Sequence, residues 1–501
     1  MKWFPQSRIC QILILIGFIY FFSAKGLVEI SDTDYSIRTA KAIIEDQTLL
    51  IDPPDPAVVA TSPQVVDGKI YSKYGVGLVI IFLPIVTVAK LVAFVTTLPE
   101  VYITGFLISF YNVPFAIGAL IFLNKICILL GATQAGANLV VIFSAVGTFF
   151  WKYTVSDYSE VTQVFFLLGA IYFLFRGKDR DLYFASIMFS GLILMKLVNV
   201  LLWIPLALYL ILNKGLNKSA LKPLLKFASI VFITGLLLLS YNHIRFGNPF
   251  LTGYESEGQS FSIAHLKRDF LDYLFSSQRG LFTFNPILIA AIPFWPILFR
   301  TRKYEATCLL LIILMWVLLM SSWVSYQGGW AWGNRLLIFT IPLLLIPLSL
   351  GSLKKHWQIA SVSVLFVISV YIQIVSVFQH THEYFVILRD MENDTEVVEY
   401  LGAMPSQLPA NVILFHQKLM GSSGEYLYSI FLGDRLTGPL ASKLINTLEY
   451  QSYQSLHAWP FHLASFMGLP NLRWLLLGTL PFFAFLAYIY FTLIWRTNIN
   501  R

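Results

Sequence analysis

Long uninterrupted runs of apolar residues constrain this chain more than any other feature of its sequence. Many of them approach the roughly 20 residues that an α-helix needs to cross a bilayer. Hydrophobic residues make up 57% of the chain and charged residues only 12%, whereas about a quarter of the residues of soluble proteins are charged. The sequence therefore predicts an all-α integral membrane protein with many transmembrane helices.

The remaining composition excludes several other classes of protein. The net charge of +8 is explained by the Lys and Arg that cytoplasmic loops of membrane proteins collect, so it does not indicate a nucleic-acid partner. The three cysteines all fall in or beside apolar runs, which indicates no disulfide framework. There is no Gly-rich phosphate loop, CxxC pair or nucleophile elbow, so ATP-driven and thiol chemistry have no support.

The apolar run at residues 75–96 decides the predicted topology. If it crosses the membrane, the basic clusters at 176–180, 214–226, 300–303 and 354–355 lie outside. If it does not cross, these clusters lie on the same side as the basic residues at both termini, as the positive-inside rule favours. We therefore predict that 75–96 is a helix or re-entrant hairpin at the outer surface.

A second long run, Leu182–Leu212, is too long for one crossing, and it has basic clusters at both ends. We predict that it crosses outward and returns, turning near Lys196 and Asn199. The result is a bundle of about 12 transmembrane helices with both termini in the cytoplasm.

This topology divides the chain into three parts. Residues 1–378 form the transmembrane module, whose first outer loop, 27–102, contains juxtamembrane helices. Residues 379–471 have an ordinary globular composition and form a small outer-face segment. Residues 472–501 form the last transmembrane helix and a cytoplasmic tail.

Ionisable residues gather at the predicted outer surface, where loops normally carry little positive charge. Such groups are costly beside hydrocarbon, so by default they mark a functional site. The carboxylates could take a proton from a nucleophile, and the cations could hold a phosphate, arginine by two parallel hydrogen bonds. The pattern suits a reaction on a lipid phosphate and rests on Asp32, Asp34, Asp157, Glu160, Lys196, Arg245, Arg279 and Arg335.

Several of these residues have a structural alternative. Asp32 and Asp34 compete for the role of base; the register against Thr39-Ala40 favours Asp32, and Asp34 could instead be a solvated neighbour or a helix cap. Lys196 could extend its amine from a short span to the membrane surface. Arg245 and Arg279 could bind lipid headgroups non-specifically.

Other polar residues near the spans could also have a purely structural role. Asp157 fits the N-cap of the following helix, and Glu160 could be a first-turn charge that the helix dipole stabilises. His380 and His382 are two residues apart, so they share no helical face, and the sequence offers no third ligand beside them. We therefore predict no metal site and no cofactor, although the residues do not exclude a divalent metal.

Six segments resemble the motifs of bacterial GT-C glycosyltransferases. This family includes the lipid-carrier-dependent aminoarabinose transferases and relatives of the protein O-mannosyltransferases. The resemblance covers roughly residues 8–350, and its motifs follow in the same order along the chain. They are Ser31–Ala42, Tyr71–Gly77 with Leu83-Pro84, Ser156–Glu160, Arg245–Pro249, Gln278–Phe282 and Trp332–Arg335.

The resemblance implies a GT-C type helical bundle that takes a sugar from a polyprenyl-phosphate donor. Transfer to a lipid, glycan or protein acceptor would occur at the outer face of the cytoplasmic membrane, with inversion. Asp32 or Asp34 would be the base, Glu160 would assist it, and the donor phosphate would be held by residues chosen from Tyr71, Lys73, Lys196, Arg245, Arg279 and Arg335.

Two alternatives to this function stay open. A transporter or flippase of lipid-linked sugars would need polar residues along a path through the bilayer, whereas most spans here are free of charge. A polymerase or ligase of surface polysaccharide is close in chemistry. Under every alternative the chain contacts membrane lipids.

Overall fold

The structure, a computed structural model, describes residues 8–52, 64–66, 68–215, 218–254, 261–324, 328–392, 406–420 and 456–466. Within these residues a two-stranded antiparallel sheet pairs β1 (Gln64–Val66) with β2 (Lys69–Tyr71). Short 3₁₀ segments connect several helices. The α-helices are α1 (Arg8–Ser23), α2 (Ser31–Asp46), α3 (Val76–Thr96), α4 (Glu100–Ile108), α5 (Asn112–Leu129), α6 (Gln134–Val146), α7 (Phe150–Thr154), α8 (Glu160–Arg176), α9 (Asp181–Met195), α10 (Trp203–Lys214), α11 (Leu221–Phe246), α12 (Ile263–Phe275), α13 (Leu281–Phe284), α14 (Trp295–Thr301), α15 (Lys303–Ser321), α16 (Thr340–Leu345), α17 (His356–Phe378), α18 (Thr381–Glu392), α19 (Gln407–Met420) and α20 (Trp459–Phe466).

The predicted helical membrane architecture is confirmed. Several helices of the described residues are long and apolar enough to cross a membrane, and shorter apolar helices accompany them. The number of crossings stays a prediction, and the predicted last span, 472–495, lies outside the described residues. The long apolar helices are Val76–Thr96, Glu100–Leu129 (α4 and α5 together), Leu221–Phe246, Lys303–Ser321 and His356–Phe378.

Helices α8 and α9 pack antiparallel and carry ion pairs at both ends. Lys196, just after α9, binds Glu160 at the start of α8, with 2.8 Å between Nζ and Oε1. Arg176, at the other end of α8, binds Asp181, with 2.7 Å between Nε and Oδ2. Since α8 rises about 1.5 Å per residue, the two pairs lie roughly 25 Å apart, close to the thickness of a bilayer core. We call the first end the Glu160 end.

The run Leu182–Leu212 is interrupted where the sequence predicts a turn. Helix α9 ends at Met195, and Lys196 has extended backbone angles, φ −147° and ψ 125°. A 3₁₀ segment, Leu197–Leu202, then leads into α10. The Asn199 side chain donates to the Leu192 carbonyl at 2.9 Å, and the same carbonyl accepts from the Lys196 amide at 3.4 Å.

Helix α3 lies lengthwise along α2. Ile37 of α2 packs with Val79 and Phe82 at one end of the pair, and Glu45 binds Lys90 at the other. Because α2 carries ionisable residues along its length, it is suited to a surface and not to the hydrocarbon. Although α3 could cross a membrane by length and composition, this packing favours the predicted outer-surface position, which stays a prediction.

Two glycines bring the loop before α3 against the end of α9. A Cβ on Gly75 would lie 2.6 Å from the Met195 carbonyl oxygen, and one on Gly77 would lie 2.8 Å from Leu194 backbone atoms. Any side chain larger than hydrogen would therefore push the loop away. The close approach places the segment 71–77 beside Lys196.

The described parts of the outer-face segment pack on the ends of the transmembrane module. The His457 amide donates to the Phe378 carbonyl at 2.8 Å, and the Trp459 amide donates to Ala24 at 2.8 Å. The Trp459 indole also donates to the Phe21 carbonyl at 2.9 Å. These bonds hold α20 against α1 and α17, whereas the predicted division of the chain into three parts stays a prediction.

Candidate active site

The second outer loop is bound to the first by the Asp157 carboxylate. Its Oδ2 accepts from the backbone amides of Glu29 at 3.2 Å and Ile30 at 3.0 Å. Burial raises the pKa of Asp157 to about 6. The prediction that Asp157 is the N-cap of α8 is wrong, because that position is Ser159 and Asp157 instead anchors the residues that precede α2.

A buried asparagine fixes the start of α8. The Asn112 side-chain amide donates to the Ser156 carbonyl at 2.9 Å and to the Tyr158 carbonyl at 2.7 Å. Its oxygen accepts from the Thr162 hydroxyl at 2.9 Å. Because Glu160 lies between these contacts, its backbone has little freedom to move.

Four of the predicted site residues meet at the Glu160 end. Nη1 of Arg335 lies 3.9 Å from Oδ2 of Asp32 and 3.8 Å from Oε1 of Glu160. The same Glu160 oxygen binds Lys196, and the guanidinium lies over the Tyr158 ring, 4.4 Å from its centroid. The two carboxylates and two cations balance in charge, and they come from four segments far apart in sequence.

The Arg335 guanidinium has hydrogen-bond donors that are free to bind a ligand. Its side chain is only 14% exposed, yet Nε and Nη1 have no hydrogen-bond partner among the described residues. A buried donor without a partner costs about 1–3 kcal/mol, and more when it is charged. This cost would be removed by a ligand that brings oxygen atoms with negative charge.

Arg279 and Gln407 fix the turn that precedes Arg335. Nη1 of Arg279 donates to the carbonyls of Ala331 at 2.6 Å and Gly333 at 3.0 Å. Gln407 accepts from the Gly333 amide at 2.8 Å and donates to the Ala331 carbonyl at 2.8 Å. In this conformation Arg279 serves backbone carbonyls, so the structure does not bring it to Arg335 as a second phosphate ligand.

Arg245 performs a similar task for the segment 71–77. Its Nη1 donates to the carbonyls of Ser72 and, at 3.3 Å, Tyr74. Tyr71 of the same segment is buried, and its ring packs edge-on against Phe246, 6.4 Å between centroids. Arg245 and Tyr71 therefore position this segment in the described conformation and do not point a polar group at Asp32.

Lys73 is the third cation near Asp32. Its Nζ lies 5.4 Å from the centroid of the Tyr74 ring and 5.6 Å from that of Tyr254, which is within the range of cation–π attraction. Burial lowers the pKa of the Lys73 ammonium, and the Asp32 carboxylate opposes this shift. The side chain is thus held as a buried cation beside two aromatic rings.

Asp32 and Asp34 differ in their surroundings. The Asp34 carboxylate is bound to Arg38, with 2.7 Å between Oδ2 and Nε. Asp32 faces Arg335 at the longer distance of 3.9 Å. Asp34 is thus occupied by Arg38, whereas Asp32 lies opposite the guanidinium that could hold a phosphate, so the geometry favours Asp32 as the base.

Both carboxylates line a cavity of about 1610 Å³. One part of its wall is charged and includes Asp32, Asp34 and Arg335. Another part is apolar and comes from α3, α4 and the residues between and around them. The apolar side chains are Val88, Val92, Leu98, Val101 and Phe106.

Three contributors to the site were missed by sequence reasoning. Tyr158 stands in the motif Ser156–Glu160, so its ring could have been found from its position next to the acid. Asn112 lies inside the span predicted at 103–125, where a single polar residue is a weak signal. Gln407 carries no motif or periodicity that points to the turn it binds.

Comparisons with known proteins match the chain to solved structures of membrane glycosyltransferases. The Archaeoglobus fulgidus oligosaccharyltransferase, in complex with Zn and sulfate, is 13% identical, with 78% of this chain and 56% of that chain covered and a TM-score of 0.46. ArnT from Cupriavidus metallidurans in the apo state is 11% identical, with 90% and 76% covered and a TM-score of 0.46. The same protein bound to undecaprenyl phosphate is 10% identical, with 89% of this chain and 76% of that chain covered and a TM-score of 0.45.

No protein-family model and no curated protein matches the sequence. The chain spans just over half the length of the archaeal oligosaccharyltransferase. The matched structures are glycosyltransferases of the class that the sequence motifs resemble. With TM-scores below 0.5, these likenesses carry no residue roles to this chain.

Proposed function

We propose that this protein is a membrane glycosyltransferase that takes a sugar from a polyprenyl-phosphate donor. The observation that carries the proposal is the largely buried Arg335 guanidinium, which lies between Asp32 and Glu160 with Nε and Nη1 unpartnered among the described residues. A phosphate would supply negatively charged oxygen atoms to this guanidinium, beside a carboxylate that can take a proton.

In this mechanism Asp32 removes the proton from the nucleophilic atom of the acceptor. The nucleophile forms a bond to the anomeric carbon while the bond from that carbon to the phosphate oxygen breaks. A single displacement inverts the anomeric carbon, and the polyprenyl phosphate leaves with the bonding electrons. Arg335 stabilises the charge that develops on the leaving phosphate, and Lys73 adds positive potential nearby.

Glu160 acts on this reaction through the cations. Its buried carboxylate binds Lys196 and faces Arg335, so it holds both groups in place and offsets the cost of burying them. The polyprenyl chain fits the apolar wall that α3 and α4 contribute to the cavity. The proposal puts transfer at the outer face of the cytoplasmic membrane, as the positive-inside rule favours, with a lipid, glycan or protein as acceptor.

The test is turnover of undecaprenyl-phosphate-linked monosaccharides by the purified protein in nanodiscs, with cell-envelope extract as the acceptor source. Mass spectrometry measures the loss of donor and the release of undecaprenyl phosphate. We expect Asp32→Asn to lower turnover by about 10²–10⁴, the usual effect of losing a general base.

Asp34→Asn is the matched control, since Asp34 is bound to Arg38 and lies in the same turn of α2. It should keep most of the activity at equal protein yield. An active Asp32→Asn protein together with an inactive Asp34→Asn protein would show that Asp32 is not the base. Absence of donor consumption across the panel would oppose the transfer itself.

A further inference from the structure

Three histidine side chains surround Glu29, at the beginning of the first outer loop. Nε2 of His380 lies 2.7 Å from Oε1 of Glu29, and Nε2 of His457 lies 2.9 Å from the same oxygen. Ligand atoms of Glu29, His380 and His382 all lie within 4.8 Å of one another. The histidines belong to the outer-face segment, which the proposed transfer does not use.

The chemistry of this set favours one class of cation. Imidazole nitrogens with a carboxylate oxygen are preferred by Zn²⁺, whereas Mg²⁺ and Ca²⁺ prefer oxygen ligands alone. Tetrahedral Zn²⁺ with bonds of about 2.0–2.1 Å separates its ligand atoms by about 3.3 Å. Distances of 2.7 and 2.9 Å, within a group no wider than 4.8 Å, need only small movements to reach that geometry.

We propose that Glu29, His380 and His382 bind a zinc-type divalent cation, with His457 the nearest residue for the fourth position. No third ligand beside His380 and His382 could be predicted from the sequence, because Glu29 lies some 350 residues away along the chain and reaches them only in the folded protein. The site differs from the Asp32–Arg335 centre, and its existence does not depend on the proposed function.

Residues around these ligands orient them, as is usual at metal sites. Oε2 of Glu29 is bound by Lys25, which leaves Oε1 directed to the histidines. The other ring nitrogen of His457, Nδ1, lies 3.2 Å from Nε2 of His462. Ligating carboxylates and imidazoles generally have such outer partners, which fix their orientation.

Two ammonium groups near the ligands weigh against a cation that binds by charge alone. Lys25 pairs with Glu29, and Nζ of Lys152 is buried without a hydrogen-bond partner among the described residues. A metal that forms strong bonds to neutral imidazole tolerates this surplus of positive charge better than Mg²⁺ or Ca²⁺ does. This is a second reason to assign zinc to the site.

The site would join the outer-face segment to the loop that carries the base. Glu29 is three residues before Asp32, and Glu29 and His382 both line the cavity with Asp32 and Arg335. A metal bound here would fix α18 over the entrance to the cavity. Its role is therefore to position the outer-face segment, and no reacting atom needs to touch it.

The experiment measures metal binding by the full-length protein, purified in detergent and freed of metal with a chelator. Zn²⁺ is titrated in competition with a chromophoric chelator, and Co²⁺ is used as a spectroscopic probe of tetrahedral coordination. We expect one Zn²⁺ per chain and visible Co²⁺ absorption. Since losing an outer-shell partner alone costs about 10–100-fold in affinity, His380→Ala and His382→Ala should each weaken binding by at least about 100-fold.

His356→Ala is the matched control, because His356 is exposed at the start of α17; it should bind Zn²⁺ like the wild type. The wild-type titration alone can overturn the proposal, so a poorly folded variant does not rescue it. No Zn²⁺ binding and no Co²⁺ absorption by the wild type would leave Glu29 and its histidines as a metal-free hydrogen-bonded network. Binding that is equal in the wild type and in both ligand variants would place the metal elsewhere.

Discussion

Arg335→Lys tests whether the site binds a phosphate by two parallel hydrogen bonds or only attracts it by charge. Lysine keeps the positive charge and most of the aliphatic stem, but it cannot present two parallel N–H donors. In the structure Nε and Nη1 are the unpartnered nitrogens, and Nη1 is 3.9 Å from Asp32 and 3.8 Å from Glu160. The edge of the guanidinium that carries Nε and Nη2 can donate two parallel bonds to a phosphate, of which lysine could replace one.

The size of the effect follows from the bonds lost. A hydrogen bond to a charged group contributes about 1.5–3 kcal/mol, and each 1.4 kcal/mol corresponds to about a tenfold change. Arg335→Lys, with one bond lost, should lower kcat/KM for the donor by about 10- to 150-fold. Arg335→Ala, with both lost, should lower it by about 10²–10⁴, while Lys196 remains to neutralise Glu160.

The assay is the donor dependence of turnover in nanodiscs, for proteins matched in yield and thermal unfolding midpoint. Arg268→Lys is the control, since that side chain is 62% exposed and pairs with its neighbour Asp269; its kinetics should not change. Near-wild-type kcat/KM for both Arg335 variants would refute the phosphate contact. The guanidinium would then be a buried counter-ion of Glu160 and Asp32.

Three further predictions concern the surroundings of the site. Burial lowers the pKa of Lys73 below 10.5. As the pH rises, kcat/KM for the donor should therefore begin to fall before an ordinary lysine loses its proton. Lys73→Arg should remove this dependence in a pH–rate profile. Gly77→Ala would place a Cβ against the Leu194 backbone and should cost about 1–3 kcal/mol of stability, measured as a lower thermal unfolding midpoint. The control is Gly235→Ala, whose Cβ would have nothing within 4 Å and should not lower the midpoint. In intact cells an impermeant thiol reagent should label Ala264→Cys and not Ser219→Cys; the reverse pattern would invert the predicted topology.

The break near Lys196 could be predicted from charge because the membrane makes charge informative. Each basic cluster indicates a side of the bilayer. From these sides the sequence predicts the turn near Lys196 and the position of α3 at the surface. In the structure Glu160 and Lys196 lie at one end of α8, and Arg176 and Asp181 lie at the other. For α3, local hydrophobicity predicts one more span and the charge distribution predicts a position at the surface, which stays a prediction.

The contribution of the outer-face segment could not be predicted in the same way. Gln407 reaches the turn before Arg335, and His380 and His457 reach Glu29, each across a long stretch of sequence. Such contacts are specified by the packing of α18, α19 and α20 on the module and leave no period or spacing in the chain. Single polar residues in a segment of ordinary composition therefore gave no signal.

The arginines show why residue type and predicted depth do not settle function. Arg245, Arg279 and Arg335 all follow or precede spans on the same predicted side, so the sequence assigns them one role. In the structure Arg245 and Arg279 donate to neutral backbone carbonyls and thereby fix two loops. Arg335 instead faces carboxylates at about 4 Å, too far for hydrogen bonds, and keeps donors without partners. A guanidinium whose Nη atoms bind backbone carbonyls contributes rigidity, whereas one that lies between two acids without a hydrogen bond to either retains the capacity to bind an anion, and only the fold distinguishes the two.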